Sequence, residues 1–156
     1  MKDMTGDGQT RRKFCTQAAA LTIFGGALAS ILEGCSSPTS PSNVASLPVL
    51  NGTPASGGVT LTIDSSSPLS AVGSAALVQT SLGDFLVAHT SQNAFVALSA
   101  VCTHQYCIIT GFANQTYVCP CHGSTYDING HVTGGPAPAS LFQYPTQFTN
   151  GVLTIT

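Results

Sequence analysis

From residue 59 onward the apolar positions fall in short groups separated by Gly, Ser, Thr and Asn, at the spacing of strands. Val59-Thr60-Leu61-Thr62-Ile63 alternates as a half-buried strand does, and Ala75 to Gln79, Phe85 to His89 and Ala94 to Leu98 are apolar runs of strand length. Asn129-Gly130 lies between Tyr126-Asp127-Ile128 and His131-Val132, and Asn150-Gly151 lies between Gln147-Phe148-Thr149 and Val152-Leu153-Thr154-Ile155. Each predicts a hairpin, because Asn-Gly accepts the positive φ of a type I′ turn. No helical period follows residue 35. The expectation is an all-β domain over 59–156, a small Greek-key-like antiparallel sandwich with an inserted subdomain, and about one hundred residues suffice for one core.

The first 58 residues follow other patterns. Ala18 to Leu32 is apolar, but as a helix its fifteen residues reach only about 22 Å at 1.5 Å per residue, against a hydrocarbon core of about 30 Å. Thr10-Arg11-Arg12-Lys13-Phe14 stands just before it and resembles a twin-arginine export signal. Leu32-Glu33-Gly34-Cys35 resembles a lipobox, in which Cys35 would be lipidated. A removed signal, a retained anchor and a lipid on Cys35 all stay open for residues 1–35. Residues 36–58, rich in Ser, Pro, Thr, Asn and Gly, bury too little to offset chain entropy and are expected to be a tether.

Charge narrows the partners. All four basic residues, Lys2, Arg11, Arg12 and Lys13, lie in the first thirteen positions, and from Cys35 onward the only carboxylates are Asp64, Asp84 and Asp127. A surface without cations cannot neutralise phosphates, so nucleic-acid binding is excluded. Little long-range steering is left, and recognition rests on shape, apolar contact and proximity.

The chemistry is concentrated in two short motifs, Cys102-Thr103-His104-Gln105-Tyr106-Cys107 and Cys119-Pro120-Cys121-His122-Gly123-Ser124. Only fourteen residues separate His104 from Cys119, so two loops can close on one inorganic centre. Two Cys and two His are the ligand set of a Rieske 2Fe-2S cluster, one iron taking both thiolates and the other both imidazoles. A tetrahedral zinc accepts the same four donors, although Cys-x-His is poor zinc-finger spacing. A pair of structural disulfides would leave the repeated placing of His104 and His122 without a reason. His89 and His131 lie outside the motifs and are read as structural.

At these residues the chain resembles the Rieske iron-sulfur proteins of cytochrome bc and b6f complexes. The resemblance implies that Cys102 and Cys119 bind one iron, that His104 and His122 bind the other, and that Cys107 pairs with Cys121 in a disulfide. Ser124 and Tyr126 match positions whose hydroxyls donate to a bridging sulfide and to a ligand sulfur, which favours a high potential. Gly134-Gly135-Pro136-Ala137-Pro138 resembles the proline loop that covers the cluster. Gln105-Tyr106 stands where bc-type proteins carry Leu-Gly, and the segment from His104 to Cys119 is slightly shorter than in that family.

What the resemblance implies for function is electron transfer by a membrane-tethered subunit, exported to the periplasmic face of a bacterial cytoplasmic membrane. The expected partners are a cytochrome b-like membrane complex, quinol as donor and a cytochrome c or similar acceptor, the chain being a subunit rather than an enzyme alone. The alternative is the small Rieske subunit of a periplasmic oxidoreductase similar to arsenite oxidase.

Overall fold

The computed structural model describes residues 44–156, and they are all strand, turn and loop. The all-β expectation holds. No helix of the described residues is long and apolar enough to cross a membrane. The export motif, the apolar stretch and Cys35 lie outside the described residues.

The central sheet runs β1 (Val49–Asn51), β4 (Ala75–Thr80), β5 (Gly83–Ser91), β6 (Ala94–Ser99) and β11 (Gln143–Tyr144). A second sheet runs β12 (Thr146–Thr149), β13 (Val152–Ile155), β3 (Gly58–Thr62) and β2 (Thr53–Ala55). The third runs β10 (Val132–Gly134), β9 (Thr125–Asp127), β8 (Thr116–Val118) and β7 (Gly111–Ala113). β6 pairs directly with β11 through Leu98 and Gln143. Everything between them, residues 100–142, is therefore an insertion into one sheet, and it contains both cysteine motifs.

The continuous apolar runs have a reason that one-sided burial would not supply, because successive strand residues point to opposite faces. Leu77, Leu86, Ala88 and Leu98 pack with Ile109, Tyr117, Tyr126 and Leu141 of the insertion. Their neighbours Ala76, Val78, Phe85, Val87 and Ala97 pack with Val59, Leu61, Leu153 and Ile155 of the second sheet. The central sheet is thus covered on both faces. The second sheet covers one face only, and its β3 and β13 alternate accordingly.

Three details differ from the sequence reading. Residues 44–58, inside the span read as tether, are part of the fold: Leu47 is buried, β1 pairs with β4, and β2 pairs with β3. Composition hid this, because both are edge strands of three residues, and Pro54 is tolerated at an edge. Residues 36–43 of that span lie outside the described residues. Second, β1 pairs in parallel with β4, since the chain does not turn back but crosses to the second sheet through Gly52. There a Cβ would meet Val59 Cγ1 at 2.6 Å and Thr80 Cγ2 at 2.7 Å, so only glycine passes.

The third difference concerns turns. Asn150 (φ 51°) and Gly151 (φ 77°) form the expected two-residue turn. At the other Asn-Gly only Gly130 has positive φ, so the hairpin is there but its turn is not type I′. Asp127 reshapes it: its Oδ1 accepts from the backbone N–H of Asn129 and of His131, both at 2.9 Å. Burial opposes ionisation of Asp127, but these donors and the His131 ring hold its carboxyl below the usual range. Asn114 and Gln115 form a further turn with two positive φ values between β7 and β8, where Gln gave no signal. His131 pairs with Asp127 across 3.0 Å on the surface, and His89 is buried, stacked on Phe95 at 4.3 Å, so both have the structural settings expected of them.

Candidate metal centre

The first loop leaves the central sheet after β6 and is closed by the bridge between Val101 and Ile108. The second joins β8 to β9, closed by Val118 against Thr125. The two share one backbone pattern. Cys102 N–H donates to Cys107 O at 2.8 Å and Tyr106 N–H to Cys102 O at 3.0 Å; Cys119 N–H donates to Ser124 O at 2.8 Å and Gly123 N–H to Cys119 O at 3.0 Å. In both, the fourth residue after the first cysteine is left-handed: Gly123 at φ 71° and Tyr106 at φ 57°. For tyrosine that conformation costs roughly 1 to 2 kcal/mol. The ring of Tyr106 is 83% exposed.

The loops are joined by a disulfide between Cys107 and Cys121, whose Cα atoms are 6.5 Å apart. The Sγ atoms of Cys107, Cys119 and Cys121 lie within 4.8 Å of one another, but with two of them in the disulfide only Cys119 keeps a thiol. Cys102 and Cys119 are free and buried. The rings of His104 and His122 stand edge to face, centroids 4.7 Å apart. His104 is half-buried and His122 exposed.

The donor set fits an iron-sulfur cluster. Burial opposes ionisation of Cys102, yet the Tyr126 hydroxyl and the His104 backbone N–H bring its thiol below the usual range. Burial and the adjacent Cys102 sulfur raise Cys119, in spite of the N–H groups of Cys121 and His122 turned toward it. Two buried thiols side by side cannot both ionise alone, and a cation between them removes the conflict. His104 Nδ1 and Ser124 Oγ are also buried and have no hydrogen-bond partner among protein atoms. Buried polar atoms are normally paired, so each calls for a partner of the kind iron and sulfide supply.

Two further pieces surround the cysteines. Tyr126, fully buried on β9, places its hydroxyl 3.3 Å from Cys102 Sγ. Burial and that sulfur both oppose ionisation of the phenol, so it keeps its proton. The proline-loop segment lies against the second loop: a Cβ on Gly135 (φ 81°) would stand 2.5 Å from Ser124 Cα, so glycine is required for the approach. Ala137 of the same segment is buried in the core that holds Cys102 and Cys119. Thr103 went unremarked in the sequence, yet its hydroxyl joins Tyr126 to the carbonyl of Ala139. Its place between a cysteine and a histidine of the motif was the available signal.

An all-β domain with one sheet interrupted by a disulfide-linked pair of loops, bringing together two buried cysteines and a facing pair of histidines, defines a class of iron-sulfur protein. The Rieske [2Fe-2S] domain model matches residues 62–145. The chain belongs to that family, and its cofactor is a Rieske-type 2Fe-2S cluster. The cytochrome b6-f complex iron-sulfur subunit of Prochlorococcus marinus (strain MIT 9211) is 45% identical over 74 residues, which are 44% of this chain and 41% of the relative. That of Synechococcus elongatus (strain ATCC 33912 / PCC 7942 / FACHB-805) is also 45% identical over 74 residues, 45% of this chain and 41% of the relative. The chain thus spans about two fifths of the length of the curated relatives it matches. Among solved structures, the plasma membrane Rieske protein PetC3 of Synechocystis PCC 6803 is 30% identical at a TM-score of 0.48, covering 53% of this chain and 85% of that one.

Proposed function

We propose that this chain is the electron-transfer subunit of a quinol-oxidising complex of the cytochrome bc and b6f type, passing electrons to a cytochrome c or similar carrier. The carrying observation is the pairing of two buried cysteines with two mutually facing histidines on loops locked by one disulfide. Cys102 and Cys119 would hold one iron and His104 and His122 the other. The cluster supplies reversible uptake of a single electron, made easier because two neutral imidazoles replace two thiolates. The protein does the rest. Ser124 and Tyr126 direct hydroxyl donors at sulfur, residues 134–138 and the core around Ile109 keep water away, and the half-exposed histidine pair gives the electron a short way out. The similarity to b6-f subunits favours this role over a periplasmic oxidoreductase subunit.

The test is redox titration of the purified domain with iron, sulfide and spin-resonance measurements. The expected result is two irons and two labile sulfides with the rhombic signal of mixed Cys and His ligation. Ser124→Ala and Tyr126→Phe should each lower the midpoint potential, because a donor to sulfur is worth more when the extra electron is present. At about 1.5 to 3 kcal/mol for a hydrogen bond to a charged group, the drop is roughly 65 to 130 mV for a one-electron couple. Stoichiometric zinc without sulfide, or potentials untouched by both substitutions, would sink the reading.

The subunit works outside the cytoplasm, held at the membrane through residues 1–35 with residues 36–43 as tether. Arg11-Arg12 ahead of an apolar stretch supports this, as does a disulfide, which persists in oxidising compartments. Arg11→Lys combined with Arg12→Lys should leave loaded protein in the cytoplasm on cell fractionation. Unchanged export would point to another route.

A further inference from the structure

The hydroxyl protons beside Cys102 can be counted one by one. Thr103 Oγ1 lies 2.7 Å from the carbonyl oxygen of Ala139. A carbonyl only accepts, so the single hydroxyl proton of Thr103 is committed there. Toward Tyr126, whose oxygen is 3.2 Å from the same Oγ1, Thr103 therefore offers lone pairs alone. The backbone N–H of Thr103 donates to the Tyr126 oxygen at 3.3 Å, which orients the phenol without taking its proton. That one proton faces two acceptors, Cys102 Sγ at 3.3 Å and Thr103 Oγ1 at 3.2 Å. The second is long for O–H···O, whose usual length is about 2.7 to 2.8 Å, so Thr103 Oγ1 is the weaker of the two acceptors and draws only part of the proton from the sulfur.

We propose that Thr103 is a positioning residue that competes with Cys102 for the Tyr126 proton, and so holds the cluster potential below the value the tyrosine alone would set. The inference rests on the reading above, in which Cys102 binds iron. Adding one electron makes the sulfur a better acceptor and draws the proton toward it; no covalent bond breaks, and the proton stays on the phenol. In the oxidised state the sulfur is weaker and Oγ1 offers the proton a second place. Stabilising the oxidised form in this way lowers the potential. The bond to Ala139 is what makes Thr103 an acceptor, so the segment after the proline loop is linked to Cys102 through two hydroxyls.

The experiment is redox titration of Thr103→Val and Thr103→Ser in the holoprotein, each also made in a Tyr126→Phe background, with iron content and spin-resonance signal recorded for every variant. Thr103→Val should shift the reduction equilibrium about threefold toward the reduced form, which is about 28 mV upward at 59 mV per tenfold for one electron. Thr103→Ser should restore the parent potential, and the valine shift should vanish when Tyr126 is phenylalanine. A potential that is unchanged or lower in Thr103→Val, or a shift that survives in the Tyr126→Phe background, overturns the proposal. Thr103→Ala gives a second, smaller replacement. Loss of iron from both Thr103→Val and Thr103→Ala would also overturn it, since the hydroxyl would then hold the loop together rather than tune it. Failure of the ligand reading looks different: the parent protein itself would lack the mixed-ligand signal.

Discussion

Cys119→Ala will yield a protein without iron and without labile sulfide. Cys119 is fully buried, lies at the closed end of the β8–β9 hairpin, and has the N–H groups of Cys121 and His122 turned toward its sulfur. Those donors stabilise a thiolate, and alanine leaves them facing nothing. The iron that Cys102 and Cys119 are proposed to hold would keep a single protein thiolate, and among the described residues no carboxylate joins the cysteine group to replace it. The loss should be complete, from two irons per chain to none, together with the visible absorbance and the spin-resonance signal. The strands should persist in far-ultraviolet circular dichroism, because the central and second sheets share a core that contains no cysteine. Retention of two irons in Cys119→Ala would show that the ligands lie elsewhere.

Cys107→Ser will retain a cluster but lose about 3 kcal/mol of stability, the value expected for cross-linking a loop of roughly fifteen residues. The bond spans a sequence separation of 14 and joins the two loops near the surface, Cys107 being half-buried and Cys121 exposed. Both loops keep their own backbone bonds and closing bridges, so the ligands stay close to position while the link between them is gone. The measurement is the denaturant midpoint of the holoprotein beside the rate at which cluster absorbance bleaches in air. A midpoint equal to the parent, with Cys121 free in thiol mapping, would mean that the disulfide carries no stability.

The candidate metal centre was legible because its proposed donors are local in sequence. Cys102 and His104, and Cys119 and His122, sit within two short runs, and a cluster constrains residue type so strongly that the pattern survives without the fold. Strand positions were legible for a similar reason, since Val59 to Ile63 alternates and the apolar runs from Ala75, Phe85 and Ala94 are of strand length. The limits show at residues 44–58. Their burial is set by what covers them, and three-residue edge strands with Pro54 look like any polar linker until β3 and β4 are in place. The turn at Asn129-Gly130 was decided by Asp127, whose carboxylate takes two backbone N–H groups and overrides a dipeptide preference.

Tyr106 marks the same division. From sequence it was a departure at the tip of the first loop; the fold shows that it occupies the left-handed position that Gly123 fills in the second, because both loops close with the same two backbone hydrogen bonds. The sequence by itself determined the all-β class, the four candidate ligands and the cofactor, each of which depends on residue type at short range. Only the tertiary structure decided that the central sheet is buried on both faces, that Gly135 touches Ser124, and that Thr103 stands between Tyr126 and Ala139. Gly135 and Ser124 are 11 positions apart, Thr103 and Tyr126 are 23 and Thr103 and Ala139 are 36, and the packing of sheets, which no short stretch of chain encodes, brings them into contact.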